Sequence, residues 1–329
     1  MLKNMVRFTV LASGSKGNST VVSGGRTRIL LDAGLSCREL FRRMRLAGED
    51  PESLDAILIT HEHADHVNGV AVTARKLGIP VYFTEATHRG WMRWLTPRRQ
   101  MSYAEWMERM RRQAAERMLE ADPAENEPAT EDADEAQTSA EVVDSKENSS
   151  DSKPPSRKED PTWLPAVEFF RAGEQFSIGD LTIHPFTTPH DAADPVGFVL
   201  EAEGVRMGYA TDLGYVPPNV KEQLTKLDLL LLESNHDLEM LRDGPYPWAV
   251  KQRVLSRVGH LSNDATSEFL LKDYDGGAAY VILAHLSENN NLPELARLAA
   301  ERALTHQPDL LCNRLLVASQ QEPLDSVSF

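Results

Sequence analysis

Between residues 57 and 70 the chain reads ILITHEHADHVNGV, which crowds His61, His63, Asp65 and His66 into six residues directly after an apolar run. On an extended segment His61 and His63 point to the same side, so their rings can converge. Asp65 and His66 fall at the turn into a helix starting near Val67. Imidazole and carboxylate are the ligand types taken by Zn²⁺ and other first-row divalent ions. Four such side chains at this spacing do not all serve one ion well, so the motif predicts two metals. A His-rich surface turn is the competing reading.

Two ions with two donors each are short of ligands, and the rest of the chain must supply more. Three candidates stand at strand ends: His190 after LTIHPFTTP, Asp212 after GVRMGYAT and His285 after AYVILA. Taken singly, each could cap a neighbouring backbone group. Taken with the first motif, they point to one shared site.

The elements that must position these residues alternate along the chain. Strands are expected at RFTVLAS, STVVSG, TRILLDAG, AILIT, PVYF, VEFFRAG, EQFSIGDLTIHPFTT, VGFVLEAEGVRMGYATD, LDLLLLES and AYVILAH, with hairpin turns at SIGDLTI and EAEGVRM. Amphipathic helices are expected near 36–47, 67–78, 217–227, 249–258, 264–273 and 292–306. Hairpins early and late with interspersed helices give an α/β class of two packed sheets flanked by helices. No internal repeat shows at the level of residue identity. Residues 101–163 read as an insertion into a single domain spanning 1–329. A helix over 103–120 is followed by an acidic stretch, 121–160, with no aromatic residue, which is expected to be disordered.

The net charge of −15 argues at first against nucleic acid, but residues 101–160 hold 17 acidic against 8 basic side chains. Most of the negative charge is therefore local. No apolar run is long enough for a membrane span. The two cysteines, Cys37 and Cys312, are far apart and lack CxxC spacing, which fits reduced thiols in a cytoplasmic protein.

The order HxHxDH, His, Asp, His resembles the metallo-β-lactamase superfamily. The flanking stretches LASGSKGNSTVV, ILLDAGLS, LITHEHADHVNGV, TPHDAADPVGF, YATDLGY, GHLSNDA and LAHLSENNN resemble its YycJ/WalJ group of exonuclease-like metallohydrolases. The resemblance spans residues 6–100 and about 165–320. It implies a four-layer αββα sandwich of two mixed sheets, with two metals at one edge, Zn or Mn foremost and Fe acceptable. By it His61, His63 and His190 hold the first metal, and Asp65, His66 and His285 the second. Asp212 bridges them, and Asp32 supports the ligand loop from behind. Lactam-cleaving members commonly carry Cys where Asp212 stands. A bridging carboxylate instead suits two ions sharing a hydroxide nucleophile, as in phosphodiester cleavage.

Glu233, ending LDLLLLES, and His260, in GHLSN, resemble the Glu and His of the tRNase Z branch, where His donates towards the leaving group. They join Asp65 as expected catalytic residues, with His236 a competitor for the role. Lys251, Arg253 and Arg257 precede His260 and are candidate substrate contacts. Further basic clusters are Arg38, Arg42, Arg43 and Arg45, and Arg89, Arg93, Arg98 and Arg99 interleaved with Trp91 and Trp94. Such lips suit a phosphate backbone and unpaired bases, although solvated helix faces carry Arg equally well. The loop SGSKGNS could turn N–H groups to a phosphate, but a hairpin turn is the simpler reading. The leading expectation is a dimetal nuclease acting on DNA. The alternatives are a hydrolase of a small ester, thioester or small phosphodiester, and a catalytically idle binding protein.

Overall fold

The computed structural model describes residues 5–96, 102–120, 160–305 and 314–329. By internal contacts the chain divides into two units, residues 1–96 with 161–329, and residues 97–160. In the second, a helix runs Tyr103–Glu120 (α5). Apart from Asp160, the stretch expected to be disordered lies outside the described residues.

The first unit carries two seven-stranded sheets. One has the order β14-β1-β2-β3-β4-β5-β6: β1 Arg7–Ala12, β2 Ser19–Ser23, β3 Arg28–Leu31, β4 Ala56–Leu58, β5 Pro80–Phe83, β6 Ala166–Phe169 and β14 Val327–Ser328. The other has the order β13-β12-β11-β10-β9-β8-β7: β7 Phe176–Ile178, β8 Leu181–Thr187, β9 Val196–Ala202, β10 Val205–Ala210, β11 Leu229–Glu233, β12 Tyr280–Ala284 and β13 Arg314–Val317. Both are mixed, with parallel pairs from β3 to β6 and from β10 to β13, and antiparallel pairs in the rest.

Strand periodicity explains why the sheets stack. In β11, Leu229 and Leu231 enter the core between the sheets with Ile29, Leu31, Phe198 and Met207. Leu230 and Leu232 point the other way, against a helical layer. A strand buried on both faces reads as an unbroken apolar run, which is what LLLL is. The first sheet is covered by α1 Cys37–Leu46, α3 Val70–Leu77 and α4 Glu85–Leu95, through Leu40, Met44, Ala74 and Trp91. The second is covered by α6 Pro218–Gln223, α9 Asn263–Lys272 and α10 Pro293–Thr305, through Val220, Leu270 and Ala300. The remaining helices are α2 Ala64–Val67, α7 Leu238–Asp243 and α8 Trp248–Val254. This is the αββα sandwich expected from the sequence. The strands β13 and β14 and the helices α4 and α7 were not anticipated, and Asp65 and His66 lie within α2 and not at a turn before a helix near Val67.

The two sheets share a pairing pattern that residue identity conceals. In each, an antiparallel run leads into a parallel one, and the first parallel strand ends in Asp-x-Gly: Asp32-Ala33-Gly34 after β3, Asp212-Leu213-Gly214 after β10. Both aspartates are left-handed, with φ of 57° and 59°. Both glycines leave no room for a Cβ, which would fall 1.7 Å from the Asp65 carbonyl oxygen at Gly34 and 2.2 Å from that of Arg257 at Gly214.

Candidate metal centre

Parallel strands deliver their functional groups at their carboxyl ends, and here one edge collects them from both sheets. β4 leads into Thr60 and the histidine motif, β3 into Asp32, β8 into His190, β10 into Asp212 and β12 into His285. His285 is also left-handed, with φ of 57°. Left-handed backbone at a non-glycine residue is uncommon, and Asp and His are among the types that tolerate it best. Three such residues at one sheet edge mark a site where geometry has been fixed at some cost in strain.

All seven expected donors converge. Two sets of three, His61/His63/His190 and Asp65/His66/His285, have donor atoms within 4.8 Å of one another, and Asp212 groups with His61 and His66. Asp212 Oδ1 is 3.7 Å from His190 Nε2, and Oδ2 is 3.4 Å from His66 Nε2. Asp212 therefore lies between the two triads, with Oδ1 also 3.5 Å from His285 Nδ1. His63 Nδ1 and His190 Nε2 are 3.2 Å apart, and Asp65 Oδ2 is 3.4 Å from both His66 Nε2 and His285 Nε2. A tetrahedral ion with bonds of about 2.0–2.1 Å has ligand edges of about 3.3 Å, so these spacings suit such an ion. His61 Nε2 and Asp212 Oδ2 are buried without a hydrogen-bond partner, as donors reserved for a cation would be.

The groups behind the donors are as ordered as the donors. Asp32 accepts from the Thr60 N–H at 2.9 Å and from His66 Nδ1 at 2.7 Å, turning His66 Nε2 to the site. The Thr60 hydroxyl bonds Asp32 and lies 3.0 Å from His61 Nδ1. His190 Nδ1 donates to the Gly259 carbonyl at 3.1 Å, which leaves Nε2 inward. Fixing the far ring nitrogen in this way sets tautomer and orientation together. Sequence reasoning singled out Asp32 but passed over Thr60 and Asn18, whose amide lies 3.2 Å from Asp65 Oδ2 and 3.0 Å from His66 Nε2. Their signals were the Thr before the histidine motif and the Asn closing the glycine loop.

Glu233 is wholly buried. It accepts from His260 Nδ1 and His285 Nδ1, both at 2.8 Å, and from the Leu213 and Leu261 N–H groups. It thus holds two histidines by their far ring nitrogens. His260 stands beside the cluster, its ring centre 5.0 Å from that of His190 and 5.2 Å from that of His285. His236 is buried with neither ring nitrogen bonded, and burial pushes it down to about 4, which disqualifies it as a proton donor near neutrality.

Charge in the cluster is balanced internally. Burial opposes ionisation of Asp212, but His285, His66, His61 and His190 hold it well below the carboxylate range. Burial likewise disfavours the charged forms of His66 and His285. Yet Asp32, Asp65 and Asp212 raise the first well above the ordinary value, and Asp212, Asp65 and Glu233 raise the second. Glu233 is held at about 2, against burial, by His260 and His285. His260 is raised by Glu233 despite its burial.

The expected basic lips are committed to the fold only in part, since Arg38, Arg45, Arg93 and Trp94 are exposed. Arg43 is buried, donating to the Leu11 and Gln320 carbonyls, and Arg42 pairs with Glu39. Trp91 is only 1% exposed and packs on Phe83, so it cannot stack on a base, because α4 turns it inward. Arg98 and Arg99 lie outside the described residues. The loop after β1 spends its N–H groups internally: Gly14 on Asn18, Lys16 on Gln320 and Gly17 on Gly14. It is a hairpin connection, not a phosphate cradle. Of the residues before His260, Lys251 donates to the Arg242 carbonyl, Arg257 lies over Tyr215 at 4.3 Å, and Arg253 pairs with Asp191, next to His190.

A model of the β-lactamase superfamily domain matches residues 27–286. The chain belongs to the metallo-β-lactamase superfamily. It is 31% identical over 304 residues to the exodeoxyribonuclease WalJ of Streptococcus pneumoniae, covering 92% of this chain and 90% of that one. It is 29% identical over 299 residues to the exodeoxyribonuclease YycJ of Bacillus anthracis, covering 91% and 89%. Among solved structures, the superfamily fold recurs in Zn²⁺-bound PqqB from Methylobacterium extorquens, with a TM-score of 0.57 at 16% identity over 97% of this chain and 99% of that one. Yeast PDE1 gives a TM-score of 0.57 at 13% identity over 98% and 100%.

Proposed function

We propose that this superfamily member is a dimetal phosphodiesterase acting on DNA in an exonuclease-like manner. The observation that carries the reading is Asp212, which groups with His61 of one triad and His66 of the other. On that reading His61, His63 and His190 would hold one divalent ion, Zn or Mn with Fe acceptable, and Asp65, His66 and His285 would hold the other. Such ions would supply Lewis-acid charge to a phosphate and lower the pKa of an attacking water.

The chain's own groups do the rest. Asp32 and Thr60 keep His66 in one tautomer. Glu233 accepts a hydrogen bond from His260 Nδ1, leaving its Nε2–H as the donor to the departing oxygen. Glu233 raises the affinity of His260 for protons against its burial, which favours the charged form of that donor. Beside it, α8 buries none of its residues and exposes Trp248, with Arg253 also open to solvent. Exposed aromatic and basic side chains next to a proton donor fit a strand of nucleic acid better than a compact ester. The relatives named as exodeoxyribonucleases support DNA as the polymer. One superfamily domain interrupted by an insertion at 101–163 accommodates these features. Among the described residues no helix is long and apolar enough to cross a membrane. Cys37 is a buried free thiol, which fits the reducing cytoplasm.

The test is metal analysis of purified protein followed by labelled DNA, RNA and small esters at graded salt. Two ions per chain and DNA cleavage that weakens steeply with salt are expected. Rapid turnover of small esters with a flat salt response would replace this reading with the small-substrate one.

A further inference from the structure

Asp191 follows His190 directly and was not among the expected ligands. Its Oδ1 is buried, has no hydrogen-bond partner and lies 3.4 Å from His190 Nε2, the nitrogen turned to the first triad. That separation equals the Asp65 to His66 and Asp65 to His285 spacings in the second triad, and it matches a tetrahedral edge. Its other oxygen, Oδ2, accepts from Arg253 Nε.

The loop that carries Asp191 is tied down on every side. Thr188 N–H donates to Pro195, Asp191 N–H to Val258, Val196 N–H to Thr60 and the Thr87 hydroxyl to the Asp194 carbonyl. The Ala193 N–H donates to Glu62, which sits between the first two histidines of the motif. A buried carboxylate oxygen with no partner is costly unless a cation answers it. The charge pattern agrees: the first triad is three imidazoles with no carboxylate of its own, whereas the second includes Asp65.

We infer that Asp191 is a further donor to the His61/His63/His190 ion, with Arg253 orienting it through the opposite oxygen. The inference rests on the metal-centre reading above. Arg253 neutralises part of the added charge and, being exposed, links the ion to whatever phosphate occupies the mouth.

The test measures both stepwise Zn²⁺ dissociation constants by chelator competition in the full chain, for the parent, Asp191→Asn and Arg253→Gln. Circular dichroism melts in chelator check folding, and Asp191→Glu serves if the Asn variant does not fold. Asp191→Asn, or Asp191→Glu in its place, should weaken one of the two constants by about tenfold or more and leave the other within about twofold. Arg253→Gln keeps the carboxylate and should weaken the same constant less. Equal weakening by the carboxylate and Arg253 variants would reduce Asp191 to an ion-pair partner and overturn the inference, as would unchanged constants. A parent chain that takes up no metal fails at the earlier step and refutes the metal-centre reading itself.

Discussion

Replacing Asp212 by Asn keeps shape and backbone while removing charge, and replacing it by Ala removes both charge and a residue type suited to φ of 59°. The two variants separate electrostatics from strain. Left-handed backbone costs an ordinary L-residue roughly 1–2 kcal/mol, a cost that Asn offsets in part by local hydrogen bonding. Without metal, therefore, the Ala variant should be less stable than the Asn variant by up to that amount. Both lose the carboxylate that faces His66 at 3.4 Å and His285 at 3.5 Å. Breaking a buried ion pair costs about 3–5 kcal/mol. Asp32, Asp65 and Glu233 still face these histidines, so the lower end is expected. In the loaded protein both variants should fall from about two ions per chain towards one or none, with hydrolysis abolished. Elemental analysis, denaturant melts in chelator and a nuclease assay read the three quantities. Two retained ions in the Asn variant would refute the bridging role, and equal apo stability of Asn and Ala would refute the strain argument.

The metal-free protein should be most stable near pH 6.5. His66 and His285 are raised when folded, so their contribution is full below about 6.5 and is lost as pH climbs through their folded values. His61 and His190 are lowered by burial and stay neutral, so the unfolded chain gains protons first and stability falls below 6.5. Bound metal requires neutral imidazoles, so loading should flatten the alkaline side. Melting temperatures from pH 5 to 9, with chelator and with metal, decide this, and an apo curve still rising above pH 7 would contradict it. His260→Ala should slow cleavage of poor leaving groups by about 10²–10⁴-fold and spare metal content. Equal losses on activated and unactivated diesters would remove His260 from proton transfer.

The converging side chains were legible because metal chemistry leaves few residue types to choose from, and period-2 strands announce where they end. His190, Asp212 and His285 were found that way. What surrounds them was not legible, because it depends on long-range contacts. Nothing local marks Arg43 as a buried donor to Leu11 and Gln320, residues far away in sequence. Trp91 looked available for stacking among arginines until α4 turned it onto Phe83. The edge strands β13 and β14 are short, and only tertiary pairing makes them strands. Asp191 stood beside a recognised ligand, yet its orientation depends on a salt bridge 62 residues along the chain.

The division of the cluster between two sheets has a consequence for biosynthesis. The first motif is complete by residue 66, but each triad waits for a partner from the second sheet, His190 for one and His285 for the other. Early in translation the nascent chain presents only half of each site, without the bridging Asp212, and can grip a stray ion only weakly. The first sheet itself gains its edge strand, β14, from residues 327 and 328. On the proposed ligand set, metal capture would therefore wait until residue 285 has been made, and a loaded centre would record that both sheets have met.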